Sequence, residues 1–215
     1  VQMAEDDDIE VKYVVANDDV ASAPKAVKEQ RHGIAGGFFM WKVGGARAAK
    51  GGSLDDVIAS AQNVVNRTKS ICVGLEPCVI PALGHSNFKI EDGTMEFGVG
   101  HHGEAGTKVE KLKSASEMAQ EMAETILNDF DFEEGKEVAV MLSGLGATPV
   151  MELYVLYDEV EKVLAKAGHK VWKTYIGNYV TSLDMNGASL TIVDLDDEIK
   201  ELLSEPAVPI GMKNY

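Results

Sequence analysis

The chain has 215 residues, 45% of them hydrophobic and 26% charged, a globular composition long enough to bury a core in one large domain or two small ones. Its 20 Lys and Arg against 35 Asp and Glu give a net charge of −15, which argues against a nucleic acid partner and an anionic membrane surface, since both need clustered cations. The acidity reads instead as solubility and a cytoplasmic home.

No apolar run approaches the roughly 18 residues needed to cross a bilayer. The acidic start, Glu5-Asp6-Asp7-Asp8, is the opposite of a signal peptide's basic region. A first residue other than Met leads to the expectation that the chain begins inside something longer. Residues 11–16, a β-branched run, predict a buried strand. Residues 33–49 read as a helix packed on most sides, because Gly36, Gly37, Gly44 and Gly45 would cost about 1 kcal/mol each in an exposed one. Ser53 and Asp56 have capping-box spacing ahead of the stripe Leu54, Val57, Ile58, Ala61, Val64 and Val65. Residues 70–75 and 95–100 are strand candidates, with Pro77 and Pro81 bracketing a turn between them. Cys72 and Cys78 lack the C-x2-C pairing of a metal site and read as reduced thiols. Ser114 and Glu117 predict a second capping box, followed by Met118, Met122 and Ile126 on one helical face. A strand over 137–142 leads to a helix capped by Thr148, begun by Pro149 and ended by Gly168. Residues 171–176 form another strand. Asn186-Gly187 predicts a hairpin between strands 181–185 and 188–195, and Asp196 caps a last short helix that stops before Pro206. Alternating strands and helices argue for an α/β fold. The hairpin demands a mixed sheet, and helices on one face give a two-layer α/β sandwich for about residues 68–205.

Chemistry concentrates in Phe97-Gly98-Val99-Gly100-His101-His102-Gly103-Glu104-Ala105-Gly106, at a strand end, where α/β proteins place ligands. Strand alternation predicts that only one of His101 and His102 faces the site. These two with Glu104 lack the helical spacing of a zinc motif. Ser143-Gly144-Leu145-Gly146-Ala147-Thr148-Pro149 reads as a tight turn, with a phosphate cradle as the alternative. Asp184 could orient a histidine, but it and Ser182 more readily satisfy local backbone groups. Cys78 is expected to pack, not react.

The glycine-framed His-Gly-Glu stretch resembles the substrate-binding subunit of dihydroxyacetone kinases. The same order continues in Asn17-Asp18-Asp19-Val20-Ala21, Arg31-His32-Gly33-Ile34-Ala35-Gly36, Pro77-Cys78-Val79-Ile80-Pro81, Leu145-Gly146-Ala147-Thr148-Pro149 and Thr181-Ser182-Leu183-Asp184-Met185. The resemblance spans about residues 11–209. It implies that His102 bonds covalently to dihydroxyacetone as a hemiaminal, with Gly100 and Gly103 beside the substrate, and that a terminal hydroxyl is then phosphorylated. Neutral imidazole suits that step, because histidine's ordinary pKa of about 6.5 leaves most of it unprotonated at pH 7. Further implications are a homodimer, no cofactor or metal in this chain, and ADP or ATP with Mg on a separate nucleotide-binding subunit. A phosphotransferase-system protein is a candidate phosphate source. The family's acid–base residues lie in an N-terminal segment for which this sequence has no counterpart, so the chain alone is expected to be inactive. Residues 1–67 are then the tail of a first, parallel three-layer α/β/α domain, and 68–215 the second domain. His101 stands where the family often has an aliphatic residue, and Ala105 where it often has Pro. The alternative is a non-catalytic ketone-binding paralogue acting as a transcriptional co-regulator.

Overall fold

The computed structural model describes residues 1–86, 88–131, 135–210 and 212, without the side chain of Glu5. Six strands form one mixed sheet: β1 (Thr68–Glu76), β2 (Thr94–Phe97), β3 (Lys108–Lys111), β4 (Glu137–Gly144), β5 (Lys170–Gly177) and β6 (Asn186–Asp194), in the order β3-β2-β1-β6-β4-β5. The helices are α1 (Gln2–Glu5), α2 (Gly37–Ala49), α3 (Leu54–Asn66), α4 (Ala115–Asp129), α5 (Val150–Lys166) and α6 (Asp197–Ser204), with a 3-10 segment at Lys25–Gln30. β4 and β5 are parallel because α5 carries the chain back between them; the other neighbouring pairs are antiparallel.

β4 is buried on both faces, and its period of two divides the core. Val138, Val140 and Leu142 join Ile71, Val73, Leu190 and Ile192 beneath α4 and α5. Ala139 and Met141 face the other way, with Val193 and Tyr175, beneath Phe39 and Val43 of α2 and Ile199 and Leu202 of α6. The α/β class and mixed sheet hold, with α4 and α5 layered on one face of the sheet; α2 and α6 cover the other.

Local chemistry explains the helix starts. Ser53 and Asp56 exchange bonds, the Ser53 hydroxyl accepting from Asp56 N–H at 3.2 Å and the Asp56 carboxylate from Ser53 N–H at 2.9 Å. Ser114 and Glu117 do the same at 3.4 and 3.0 Å, and Asp196 accepts from Ile199 N–H. Gly168, at φ +82°, follows α5 as expected. Cys72 and Cys78 are free and buried. None of the described helices is long and apolar enough to cross a membrane.

Four expectations fail. Residues 11–16 form no strand and pair with none among the described residues, and Val11, Tyr13 and Val15 are exposed. The helix predicted from residue 33 begins at Gly37; Gly44 packs near Ala61, but Gly45 faces open space. Thr148 does not cap α5, whose N-cap is Pro149. The Thr148 hydroxyl instead accepts from Gly187 N–H at 2.8 Å and lies 2.6 Å from the Gly187 carbonyl. That contact also explains the missing hairpin. Asn186 and Gly187 are the first residues of β6, paired with Glu76 and Gly74 of β1, and 181–185 is not a strand. The antiparallel pairing that the hairpin was invoked to supply comes from β6 lying between β1 and β4.

Candidate functional site

Three loops meet at the β1–β2 end of the sheet and enclose a cleft of about 340 Å³, walled by Asp19, Arg31, His32, Gly100, His101, His102 and Glu104 among others. The 17–21 loop is bound to β1, with Val20 N–H donating to Ser70 O at 3.0 Å and Ser70 N–H to Asp18 O at 2.7 Å. The Asp18 carboxylate accepts from Ile34 N–H at 3.2 Å and Gly36 N–H at 2.8 Å, tying the second loop to the first. Burial pushes the Asp18 carboxyl up, against the hydrogen bonds it accepts. Asp19, also buried, accepts from Ala21 N–H and is pushed up to about 6, chiefly by burial, with the Asp18 charge adding to it. Arg31 holds the far side: its guanidinium grips both Asp129 oxygens at 2.7 and 2.8 Å and donates to Ala23 O.

The third loop follows β2, which ends at Phe97, so the alternation argument for the two histidines does not apply; both line the cleft. Gly98, at φ +76°, brings the backbone against Ala21, where a Cβ would lie 2.7 Å from that methyl. Gly103, at φ +85°, turns the chain back so that Glu104 faces His102. A side chain at Gly100 would collide with the Glu104 carboxylate. The Glu104 carboxylate accepts from His102 N–H at 2.8 Å and lies 3.3 Å from its Nδ1. Partial burial works against the Glu104 charge, but bonds from its own N–H, the His102 N–H and the His102 ring hold its pKa below the usual carboxylate value. With a carboxylate at Nδ1, that nitrogen carries the proton and Nε2 presents its lone pair. The His102 side chain is 86% exposed.

His101 is the opposite case. Its Nε2 is buried without a hydrogen-bond partner among the described residues, and burial, then the neighbouring His102, lowers its pKa from 6.5 to about 4. A histidine held neutral in the fold but protonated when unfolded gives stability that is complete above about pH 6.5 and is lost as pH falls toward 4. Asp19 acts in the reverse sense, its contribution fading as pH rises through about 6. His101→Ile should therefore lose less stability than the parent between pH 7 and pH 5, read from urea midpoints at the two values. Equal losses would show that the His101 ring is not held neutral.

Among the described residues no hydrogen bond joins Ser182 to either histidine ring. Its hydroxyl donates to the His101 carbonyl, fixing the loop from 81 residues away in sequence rather than satisfying a local group. Asp184 does not orient a histidine; it accepts from Val79 N–H at 2.7 Å. The 143–149 turn uses its polar groups internally. Leu145 N–H donates to Gly187 O, Ala147 N–H to Met185 O, and the Ser143 hydroxyl accepts from Tyr179 and Val180 N–H. Those bonds favour the tight turn over the cradle. Cys78 packs with Val99, Leu145 and Met185. The Asp18–Asp19 and Arg31 walls were given no site role by sequence reasoning. Their signal was two consecutive acids followed, within twenty residues, by a glycine-rich helix start.

The mixed α/β sheet places a glycine-framed histidine at a cleft, the kind of position at which α/β domains hold small ligands. The chain belongs to the Dak1 domain family, whose model matches residues 1–210. It is 39% identical to the dihydroxyacetone-binding subunit of a PTS-dependent dihydroxyacetone kinase from Listeria innocua, over 91% of this chain and 60% of that subunit. Two solved structures share the fold. A dihydroxyacetone kinase operon co-activator superposes with TM-score 0.87 at 31% identity, covering 95% of this chain and 64% of the other. The dihydroxyacetone kinase of C. freundii in complex with AMP-PNP and Mg2+ gives 0.83 at 27%, covering 95% and 37%. The chain thus spans about 60% of the length of the curated subunits it matches.

Proposed function

We propose that this chain binds dihydroxyacetone as a hemiaminal on His102 and presents it for phosphoryl transfer. The observation that carries the reading is the Glu104–His102 pair, which leaves Nε2 as a free nucleophile on an exposed loop. The Nε2 lone pair attacks the ketone carbon, the carbonyl π electrons move to oxygen, and that oxygen takes a proton from solvent. The Nδ1 proton leaves to water by way of Glu104, so the adduct is neutral and no water is lost. Glycerol, with the same hydroxyls and no carbonyl, cannot react. Gly100 walls the cleft, and Gly103 shapes the loop that carries the nucleophile. A terminal hydroxyl of the held ketose would then accept a phosphoryl group. Its source would be a nucleotide, with Mg, on a separate subunit, recharged in a phosphotransferase-linked system by that system's donor. The open position of His102 suits closure by such a partner. We assign 1–67 to the end of a first domain and 68–215 to the second, although α2 of the former closes one face of the latter's sheet. A homodimer and a cytoplasmic location belong to the same reading.

The likeness to an operon co-activator favours a second reading, in which the same adduct is sensed and not phosphorylated. Dihydroxyacetone labelled with carbon-13 at the carbonyl separates binding from chemistry. On adding the protein, its signal should move from the ketone to the tetrahedral range, with intact mass rising by one whole substrate molecule. A signal that stays in the ketone range at saturating protein overturns the proposal. Adding the nucleotide-binding subunit, with the family's N-terminal acid–base segment also present, then distinguishes kinase from sensor, since only the former yields dihydroxyacetone phosphate.

A further inference from the structure

Away from the His102 cleft, a second cavity of about 400 Å³ opens where α3, β1 and the ends of α4 and β6 meet. It brings cations together in a chain whose net charge is −15. Its carboxylates each have a cationic partner. Asp129 is held by Arg31 at 2.7 Å, Asp131 by Lys25 at 2.7 Å and Asp194, through one oxygen, by Arg67 at 2.6 Å, its Oδ1 being buried without a hydrogen-bond partner among the described residues. Two ammonium groups remain, those of Lys28 and Lys69.

Lys69 is only 6% exposed. Its Nζ donates to one acceptor, the Thr68 carbonyl at 3.2 Å, and stands 5.8 Å from the centre of the Phe130 ring. An ammonium has three donors, and burying one with a single long hydrogen bond is costly. Burial is the main force lowering the Lys69 pKa; Arg31 and Lys28 add to it, while Asp129 and Asp18 oppose it. Lys28 is thus close enough to act on Lys69, yet no carboxylate bridges the two among the described residues. The Asn66 carboxamide oxygen accepts from Gln62 at 3.0 Å, leaving its NH2 as a further donor on the wall.

We infer that this cavity binds a small dianionic oxyanion, a phosphate monoester, with Lys69 and Lys28 supplying the charge and Asn66 a neutral donor. The ligand class follows from the donors. Two ammonium groups match a double negative charge, and several oxygens are needed to reach three separate donors. A monocarboxylate satisfies one of the two cations. A bound dianion also raises the Lys69 pKa, so affinity increases as pH falls while the ligand stays doubly charged. The site is independent of the hemiaminal reading, since it shares no side chain with the His102 cleft.

Titration calorimetry at pH 7 and constant ionic strength, with inorganic phosphate and with glycerol 3-phosphate as probes, tests this. The expected result is one saturable site for the monoester, weakened about tenfold or more by Lys69→Met, as loss of a charged donor implies. Lys28→Ala, at an exposed position that does not threaten folding, should weaken it several-fold. A His102→Asn variant should bind unchanged. No saturable binding of glycerol 3-phosphate overturns the inference. So does binding indifferent to both lysine variants, or binding lost in His102→Asn, which would place the anion in the other cleft. Binding of inorganic phosphate alone overturns the monoester assignment.

Discussion

A His102→Asn variant is expected to form no covalent adduct with dihydroxyacetone at any concentration. Asparagine keeps a polar side chain near Glu104, so the loop geometry set by Gly98, Gly100 and Gly103 is retained. The bond from its N–H to the Glu104 carboxylate belongs to the backbone and survives. Only the nucleophile is lost, because an amide nitrogen has its lone pair delocalised into the carbonyl. The tetrahedral carbon-13 signal should vanish, and phosphorylation in the presence of the nucleotide subunit should fall with it. Glu104→Gln should have a smaller effect, since a carboxamide oxygen still accepts from Nδ1 but does not stabilise the positive charge that develops on the ring during attack. An adduct that persists in His102→Asn would move the nucleophile elsewhere, with His101 the first alternative to examine.

Arg31→Met should cost about 3–5 kcal/mol of folding stability, the usual penalty for removing one partner of a buried ion pair. The Arg31 side chain is 1% exposed and that of Asp129 10%, so water reaches neither well. Removing the guanidinium strands a carboxylate whose pKa is lowered by that arginine, against the burial that raises it, and leaves the Ala23 carbonyl without its donor. Combining Arg31→Met with Asp129→Leu should recover much of the loss, because no charge is then left buried. Urea unfolding at pH 7 measures both. A single-variant loss below about 1 kcal/mol, the range of exposed pairs, would show that Asp129 finds another partner, with Lys69 and Lys25, the other cations that act on it, as the candidates.

What the sequence revealed was what nearby residues decide. Ser53 with Asp56 and Ser114 with Glu117 form both capping boxes, because partners three residues apart meet whatever the rest of the chain does. Met118, Met122 and Ile126 fall on the buried face of α4 for the same reason. Asn186-Gly187 misled because its local turn preference was overridden. Pairing with β1 on one side, a bond from Leu145 N–H to the Gly187 carbonyl on the other and the Thr148 bonds hold these residues in a strand. The candidate site divides along the same line. The glycine loop and its histidine were legible, since spacing and composition carry them. The Asp19 and Arg31 walls and the Ser182 bond to His101 were not, since they depend on contacts between segments tens of residues apart.

The irregular stretch over residues 9–16 bears on how the protein behaves in solution. Ile9, Val11, Tyr13 and Val15 are all exposed on a backbone with no ladder partner among the described residues, an apolar stretch open to self-association. The net charge of −15 opposes that encounter over a distance set by the Debye length, about 30 Å at 0.01 M salt and 8 Å at physiological strength. Colloidal stability should therefore be best in dilute buffer and decline as salt is added, the reverse of the usual remedy for a sticky preparation.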